Sequence, residues 1–425
     1  MKIVGLIAEY NPFHNGHFYH IEKAKEITGA DTAIVIMSGD YVQRGLPAIM
    51  PKRLRAKMAL QCGASAVFEL PVCYATGTAE LFAEGAISFF DHLGIVDAIC
   101  FGTECNDIDS LKELAQILCE EPADYRLELQ NHLKNGDSFP SARQKAIATY
   151  TGSDTLASYL EDPNNILGIE YCKALHKFQS PMKAYTIQRE GAHYHEEQLQ
   201  KVHSSATAIR SLLNRASEHY SLRSTSLEET CSQKIQDLES QVPAPCFTLL
   251  KEQYGKSYPV NVQDFSLLLK YKLLNKTPET LSQYMDVSEA FANRIFGKLN
   301  YYLDYPQFSQ LLKTKEITQT RVNRALLHIM LGIKTEDVIC YKKQGYHGYA
   351  HLLGVRKEDQ TLLSILAKNS SLPLLTKLYA SDHLTELWQH MLRQDILASN
   401  LYASVITDRY KTAYENEYYQ GVLKV

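Results

Sequence analysis

The chain has 425 residues, of which 45% are hydrophobic and 22% charged, with a formal charge of −4. That length allows two or three domains with a sizeable core, and the composition argues against a disordered chain. The charge excludes a globally basic nucleic-acid binder, so any RNA or DNA surface has to be a local patch. Nine cysteines without a Cys-x-x-Cys pair do not make a disulfide framework and are read as reduced. The apolar start is too short for a signal peptide and no apolar run approaches about 20 residues, so the expectation is a soluble, cytoplasmic protein with no membrane partner.

In chain order, "KIVGLIA" (2–8), "TAIVIM" (32–37), "SAVFEL" (65–70) and "DAICFG" (97–102) are short apolar runs separated by helical stretches. Continuous apolar strands joined by helices predict a parallel sheet covered on both faces, a doubly wound α/β domain. Residues 107–178 read as a helical insertion, "MKAYTIQR" (182–189) as one more strand, and the domain closes near 220. The polar stretch 221–243 is the expected linker or surface hairpin, and 244–425 the expected α-helical domain. No internal repeat is present, which argues against a solenoid.

The segment "AEYNPFHNGHFYHIEKAKEI" leaves the first strand through a polar turn and enters a helix near Gly16. At such a junction a strand's carboxyl end faces a helix N-terminus, whose free N–H groups favour phosphate. His14 and His17 fall there, and Gly16 permits close approach of a backbone to a nucleotide. The same histidines could simply cap the helix. A zinc site at His14, His17 and His20 is disfavoured, because no further ligand cluster appears and helical zinc pairs usually have i, i+4 spacing. In "HSSATAIRSLL" (203–213), Ser204, Ser205 and Thr207 suit a helix start and Arg210 follows, so hydroxyls, helix terminus and guanidinium could converge on a polyphosphate.

Together, "HNGH" (14–17) and "HSSATAIR" (203–210) resemble the paired motifs of the HIGH-type nucleotidyltransferases, with Ala206 inserted between serine and threonine. A lysine-rich second motif of the aminoacyl-tRNA synthetase kind is missing. Three longer stretches, "GLIAEYNPFHNGHFYHI", "MSGDYVQRGLPAIMPKRLRAKMAL" and "PNNILGIEYCKAL", narrow the resemblance to the bacterial tRNA(Met) cytidine acetate ligase family. The resemblance implies a Rossmann-like domain that activates acetate with ATP as acetyl-adenylate. Elongator tRNA(Met) then receives the acetyl group on N4 of its wobble cytidine. ATP is the substrate, Mg²⁺ is inferred from ATP chemistry, and neither zinc nor acetyl-CoA is expected.

By the same resemblance, His14, His17 and Arg210 are the expected catalytic residues. Nucleotide-binding residues are expected at Ile7, Ala8, Glu9, Tyr10, Asn11, Pro12, Phe13, Asn15, Gly16, Phe18, Tyr19 and His20, then at Gly102, Arg189, Ser205 and Thr207. One of Asn164 and Asn165 joins them, although either could cap a helix instead. Ser38, Gly39, Asp40, Gln43, Arg44 and Lys52 follow the second strand and form a possible substrate loop. From Gln310 to Lys357 the chain carries nine Lys/Arg against three Asp/Glu, interspersed with tyrosines. Arg321, Arg324, Lys342 and Lys343 are therefore the expected tRNA-contacting residues, against the plainer reading of a solvated face with core tyrosines. Rival functions are a small-molecule adenylyltransferase and a non-catalytic tRNA-binding module.

Overall fold

The computed structural model describes residues 1–189, 206–220 and 235–425. The first strands and helices are β1 (Ile3–Ala8), α1 (Asn15–Thr28), β2 (Thr32–Ser38), a hairpin of β3 (Tyr41–Val42) and β4 (Leu46–Pro47), α2 (Lys52–Gln61) and β5 (Ala66–Leu70). Then come α3 (Val72–Ala75), α4 (Ala79–Leu93), β6 (Ala98–Thr103), α5 (Ile108–Glu120), α6 (Ala123–Lys134), α7 (Phe139–Thr151), α8 (Asp154–Ser158), α9 (Pro163–Phe178), β7 (Lys183–Gln188) and α10 (Ala206–Tyr220). The remainder is mostly helical but adds β8 (Ala350–Val355), β9 (Leu374–Leu375) and β10 (Leu423–Lys424).

The main sheet runs β10-β8-β5-β2-β1-β6-β7, with β9 on β8. Its pairs are parallel except β5 with β8. All seven residues of β2 are buried, as a central strand covered on both faces requires. Alternation sorts the side chains: Ile3, Ile34, Ile36 and Phe68 join one core with α4 and α9, while Val4, Leu6, Val35 and Val67 join the other with α1 and α2. The first core continues through Phe265 and Leu326 to Val405, so the helical region shares it.

Two features depart from the sequence expectation. The helical region returns strands to the sheet: "AHLLGV" is fully buried and pairs Val67 with Gly354. Helical periodicity around it gave no warning, because the run is short and its partner is distant. Residues 221–234 of the expected linker lie outside the described residues, but from Ile235 onward the segment packs into the second core through Leu238 and Val242. No helix among the described residues is long and apolar enough to cross a membrane.

The chain leaves β1 toward β2 and β5, then returns to the other side of β1 at β6. That reversal opens a crevice beyond the carboxyl ends of β1 and β6, the usual ligand position in such sheets. Gly5 lets α4 sit close to β1, since a Cβ there would lie 2.8 Å from the Phe90 ring. Gly5→Ala is therefore expected to destabilise the fold by roughly 1–3 kcal/mol through overpacking. Urea unfolding checks this, and an unchanged midpoint would refute the close packing.

Candidate functional site: a nucleotide cleft at the switch point

A cleft of about 440 Å³ opens at this point. From the first motif it is lined by Ile7, Ala8, Glu9, Tyr10, Asn11, His14, Gly16, His17, Tyr19 and His20. The loop is held by its own side chains and backbone. Tyr10 takes a left-handed conformation, φ 48°. Asn11 Oδ1 accepts the Ile49 N–H at 2.8 Å, and its carbonyl accepts Arg210 Nη1 at 2.7 Å. Pro12, Phe13, Asn15 and Phe18 do not line the cleft. Pro12 and Phe13 are buried and Phe18 is exposed, while Asn15 donates to the backbone carbonyls of Ser240 and Gln241.

The two motif histidines do cap the helix, and they also face the cleft. His14 Nδ1 accepts the Gly16 N–H at 3.1 Å, and His17 Nδ1 accepts the His14 N–H at 3.3 Å. Their rings stack with centroids 3.8 Å apart. A Cβ on Gly16 would come within 2.9 Å of the His14 ring, so the glycine makes room for the cap. With Nδ1 an acceptor, a neutral imidazole carries its proton on Nε2, which makes each ring a donor. Loss of hydration drives the His17 pKa well below the usual histidine range, with His14, Arg189 and His20 adding to the effect. Burial likewise lowers His20 to about 4, against the opposing pull of the Cys100 backbone.

The second motif reaches the cleft through Ala206, Thr207 and Arg210, and Thr207 Oγ1 accepts Arg210 Nη2 at 3.0 Å. Ser204 and Ser205 lie outside the described residues. On the β6 side the cleft meets Gly102, Asn164 and Arg189. Arg189 Nη1 donates to Asn164 Oδ1 at 2.9 Å. Asn165 is turned inward, where Oδ1 accepts the Glu104 and Cys105 N–H groups at 3.0 and 3.1 Å. The geometry thus separates two asparagines that are adjacent in sequence: Asn164 lines the cleft, and Asn165 is buried and holds the Glu104–Cys105 backbone.

The loop after β2 divides similarly. Gln43 and Arg44 line the cleft, whereas Ser38, Gly39, Asp40 and Lys52 do not. Asp40 Oδ1 accepts the Lys52 N–H at 2.7 Å, and burial raises its pKa against Lys52 and Arg55. Lys52 Nζ lies 2.8 Å from Glu69, 3.1 Å from Glu417 and 2.6 Å from Ser399 Oγ. Burial pulls this ammonium's pKa down, but Glu417, Glu69 and Asp40 outweigh it and raise it. Glu69, His351 and Glu417 form the described cluster with metal-like spacing, and the Lys52 ammonium already supplies its cation.

Several contributors gave no sequence signal. Arg55, fully buried, donates to the carbonyls of Met50, Glu9, Ser38 and Gly39. Phe82, Leu167 and Tyr171 wall the cleft from helices, and Val260–Val262 reach it from the chain after the linker. The apolar ones among them read from sequence alone as core.

Among the basic residues of the helical region, Arg324 is bidentate on Asp286 at 2.8 and 3.2 Å, and Lys342 pairs with Glu84 at 2.7 Å. Lys343 is exposed and Arg321 partly so, and neither has an ion pair among the described residues. Tyr341, Tyr346 and Tyr349 are buried, with hydroxyls on Gln394, Glu84 and Asp395. They are core tyrosines rather than stacking platforms.

An open, mostly parallel sheet with a histidine-capped helix and the Thr207–Arg210 segment meeting at its switch point defines a nucleotidyltransferase of the HIGH type. The sequence matches the family described as HIGH Nucleotidyl Transferase over residues 1–417. Within that class the chain belongs to the tRNA(Met) cytidine acetate ligase family. The protein of that name from Acetivibrio thermocellus is 38% identical over 407 residues, 95% of this chain and 94% of the relative. The one from Alkaliphilus metalliredigens is 34% identical over 421 residues, 96% of this chain and 95% of the relative. Crystal structures of Thermotoga maritima TmcAL, apo and bound with alpha-thio ATP, are 30% identical over the whole of both chains, with TM-scores of 0.89 and 0.87.

The lowered pKa values of His17 and His20 set a pH dependence. Both stay neutral in the folded protein, whereas the unfolded chain takes up protons below about pH 6.5. The folded state keeps its full stability above that pH and loses it as pH falls toward 4. His20→Asn is expected to recover up to about 2 kcal/mol of the loss between pH 7 and pH 5. Urea midpoints at the two pH values test this, and an unaltered difference would refute it.

Proposed function

We propose that the protein is an ATP-dependent acetate–tRNA ligase. It activates acetate as acetyl-adenylate, with release of pyrophosphate, and transfers the acetyl group to N4 of the wobble cytidine of elongator tRNA(Met). The convergence of His14, His17, Thr207 and Arg210 on one cleft carries this reading. The relatives' shared name and the alpha-thio ATP bound to Thermotoga maritima TmcAL support it.

Acetate is ionised near neutral pH and attacks the α-phosphate without a base. The chemistry then rests on holding the reactants and stabilising charge on the phosphate oxygens. The Nε2–H donors of His14 and His17 are assigned to those oxygens, and Arg210 with Thr207 to the β- and γ-phosphates. Gly102, Asn164 and Arg189 are assigned to the nucleoside end. Gln43 and Arg44 face the cleft from the opposite loop and are assigned to the substrate side. Among the described residues the cleft offers a single carboxylate, Glu9, so these residues would not cage Mg²⁺ by themselves and the ion would come with ATP. The route needs no acyl thioester.

Incubation with ATP and labelled acetate, with and without tRNA(Met), tests the reading. Pyrophosphate and N4-acetylcytidine are expected, and AMP on a phosphorylated metabolite instead would favour a small-molecule adenylyltransferase. His14→Asn keeps a capping acceptor but removes the Nε2 donor. It is expected to slow pyrophosphate release about 10²–10³-fold at unchanged melting temperature. A normal rate would place the phosphate contact elsewhere.

Arg321 and Lys343, which form no ion pair among the described residues, are the proposed tRNA contacts, while Arg324 and Lys342 would have to share their carboxylates. The double variant R321A/K343A is expected to weaken tRNA binding and lower its salt dependence while sparing ATP binding. Unchanged affinity in a filter-binding titration would move the RNA surface off this segment.

A further inference from the structure

Glu9 is the only acidic side chain lining the cleft among the described residues, and phosphate chemistry has no use for it. It follows β1, and strand alternation puts it on the face of Ile3 and Ile7, toward α4 and α9. It is held from both ends. Its Oε1 accepts the Gln43 N–H at 2.9 Å, and its carbonyl accepts Arg55 Nη1 at 2.6 Å. Its Oε2 makes no hydrogen bond among the described residues. Beside it the cleft is walled by Phe82, Phe101, Leu167 and Tyr171, with the Phe101 and Tyr171 rings 5.2 Å apart. The Glu9 charge acts on the Tyr171 hydroxyl, which places the carboxylate at this aromatic wall.

An aromatic recess with a fixed carboxylate suits a base bearing an exocyclic amine, since a carboxylate accepts from cytosine N4. The acyl-transfer step also needs a proton acceptor. His14 and His17 cannot serve, because their Nδ1 atoms already accept backbone N–H groups and their Nε2 atoms carry the protons. His20 Nε2 is enclosed and away from solvent.

We propose that Glu9 is the general base of acetyl transfer, an assignment that rests on the ligase reading above. The cytidine N4 nitrogen attacks the carbonyl carbon of acetyl-adenylate and a C–N bond forms. The bond from that carbon to the phosphate oxygen breaks, AMP leaves with the electron pair, and the amine proton passes to Glu9 Oε2. Before attack, the same oxygen accepts a hydrogen bond from the amine. A uridine would present a carbonyl oxygen to the carboxylate and be rejected, so one group sets both reactivity and base choice.

The test separates the two half-reactions in the full-length protein. Hydroxylamine trapping of labelled acetate reads adenylate formation, and mass spectrometry of tRNA(Met) reads single-turnover acetyl transfer. E9Q keeps an oxygen for the Gln43 N–H but cannot take the proton. It is expected to slow transfer at least about a hundredfold more than it slows adenylate formation. E9D, a shorter carboxylate, should recover part of the transfer rate. Equal losses in both steps would put Glu9 on the nucleotide and overturn the proposal, as would wild-type transfer by E9Q. Failure of the wild-type protein to form acetyl-adenylate would reject the ligase reading itself.

Discussion

The site depends on one buried cation. Arg55 sits on α2 with no exposed surface and spends its guanidinium on the backbone carbonyls of Glu9, Ser38, Gly39 and Met50. The carbonyls of Glu9, Ser38 and Gly39 stand at or just past the ends of β1 and β2, where the ladder stops and other partners are needed, and that of Met50 lies just before α2. A guanidinium supplies several donors in a fixed plane, so a single side chain sets the spacing of two loops. Asn11 adds a second tie through the Ile49 N–H and passes the constraint to Arg210 through its carbonyl. The first motif, the loop after β2 and the second motif are therefore one body.

A second buried cation joins this body to the helical region. Lys52 precedes Arg55 by one turn and reaches Ser399 and Glu417. The helix Glu386–Tyr410 adds Tyr402 on the Ala48 carbonyl and Asp395 on the Val72 N–H. A buried ion pair of this kind is costly to break, because loss of one partner leaves an uncompensated charge. The loop that carries Gln43 and Arg44 is thus braced by residues more than three hundred positions away.

Periodicity and turn chemistry were enough to place β1, β2, β5 and β6 and to put "HNGH" at a strand-to-helix junction. The histidines do cap the helix, and because capping uses Nδ1 it leaves each Nε2 available at the cleft they line. Local sequence could not separate Asn164 from Asn165, because the difference lies in which one meets the Glu104 and Cys105 N–H groups. Nor could it show that Lys52 and Arg55 are buried, as "PKRLRAK" reads as a charged surface until the distant carboxylates and carbonyls are in place. The tyrosines near 341–349 and the strand β8 were hidden for the same reason: their partners lie on α4, on β5 and near residue 395.

The antiparallel closure of the sheet by β8 has a consequence for how the protein is made. Until Ala350–Val355 leaves the ribosome, β5 offers the fully buried residues "AVFEL" as an unpaired apolar edge. At ~5–20 residues per second, the roughly 280 residues between the two strands take tens of seconds to synthesise. For that time the nascent N-terminal portion already has the polypeptide of the first motif but neither β8 nor the carboxylate of Glu417. An unpaired apolar edge of this kind is open to pairing with other chains until β8 covers it.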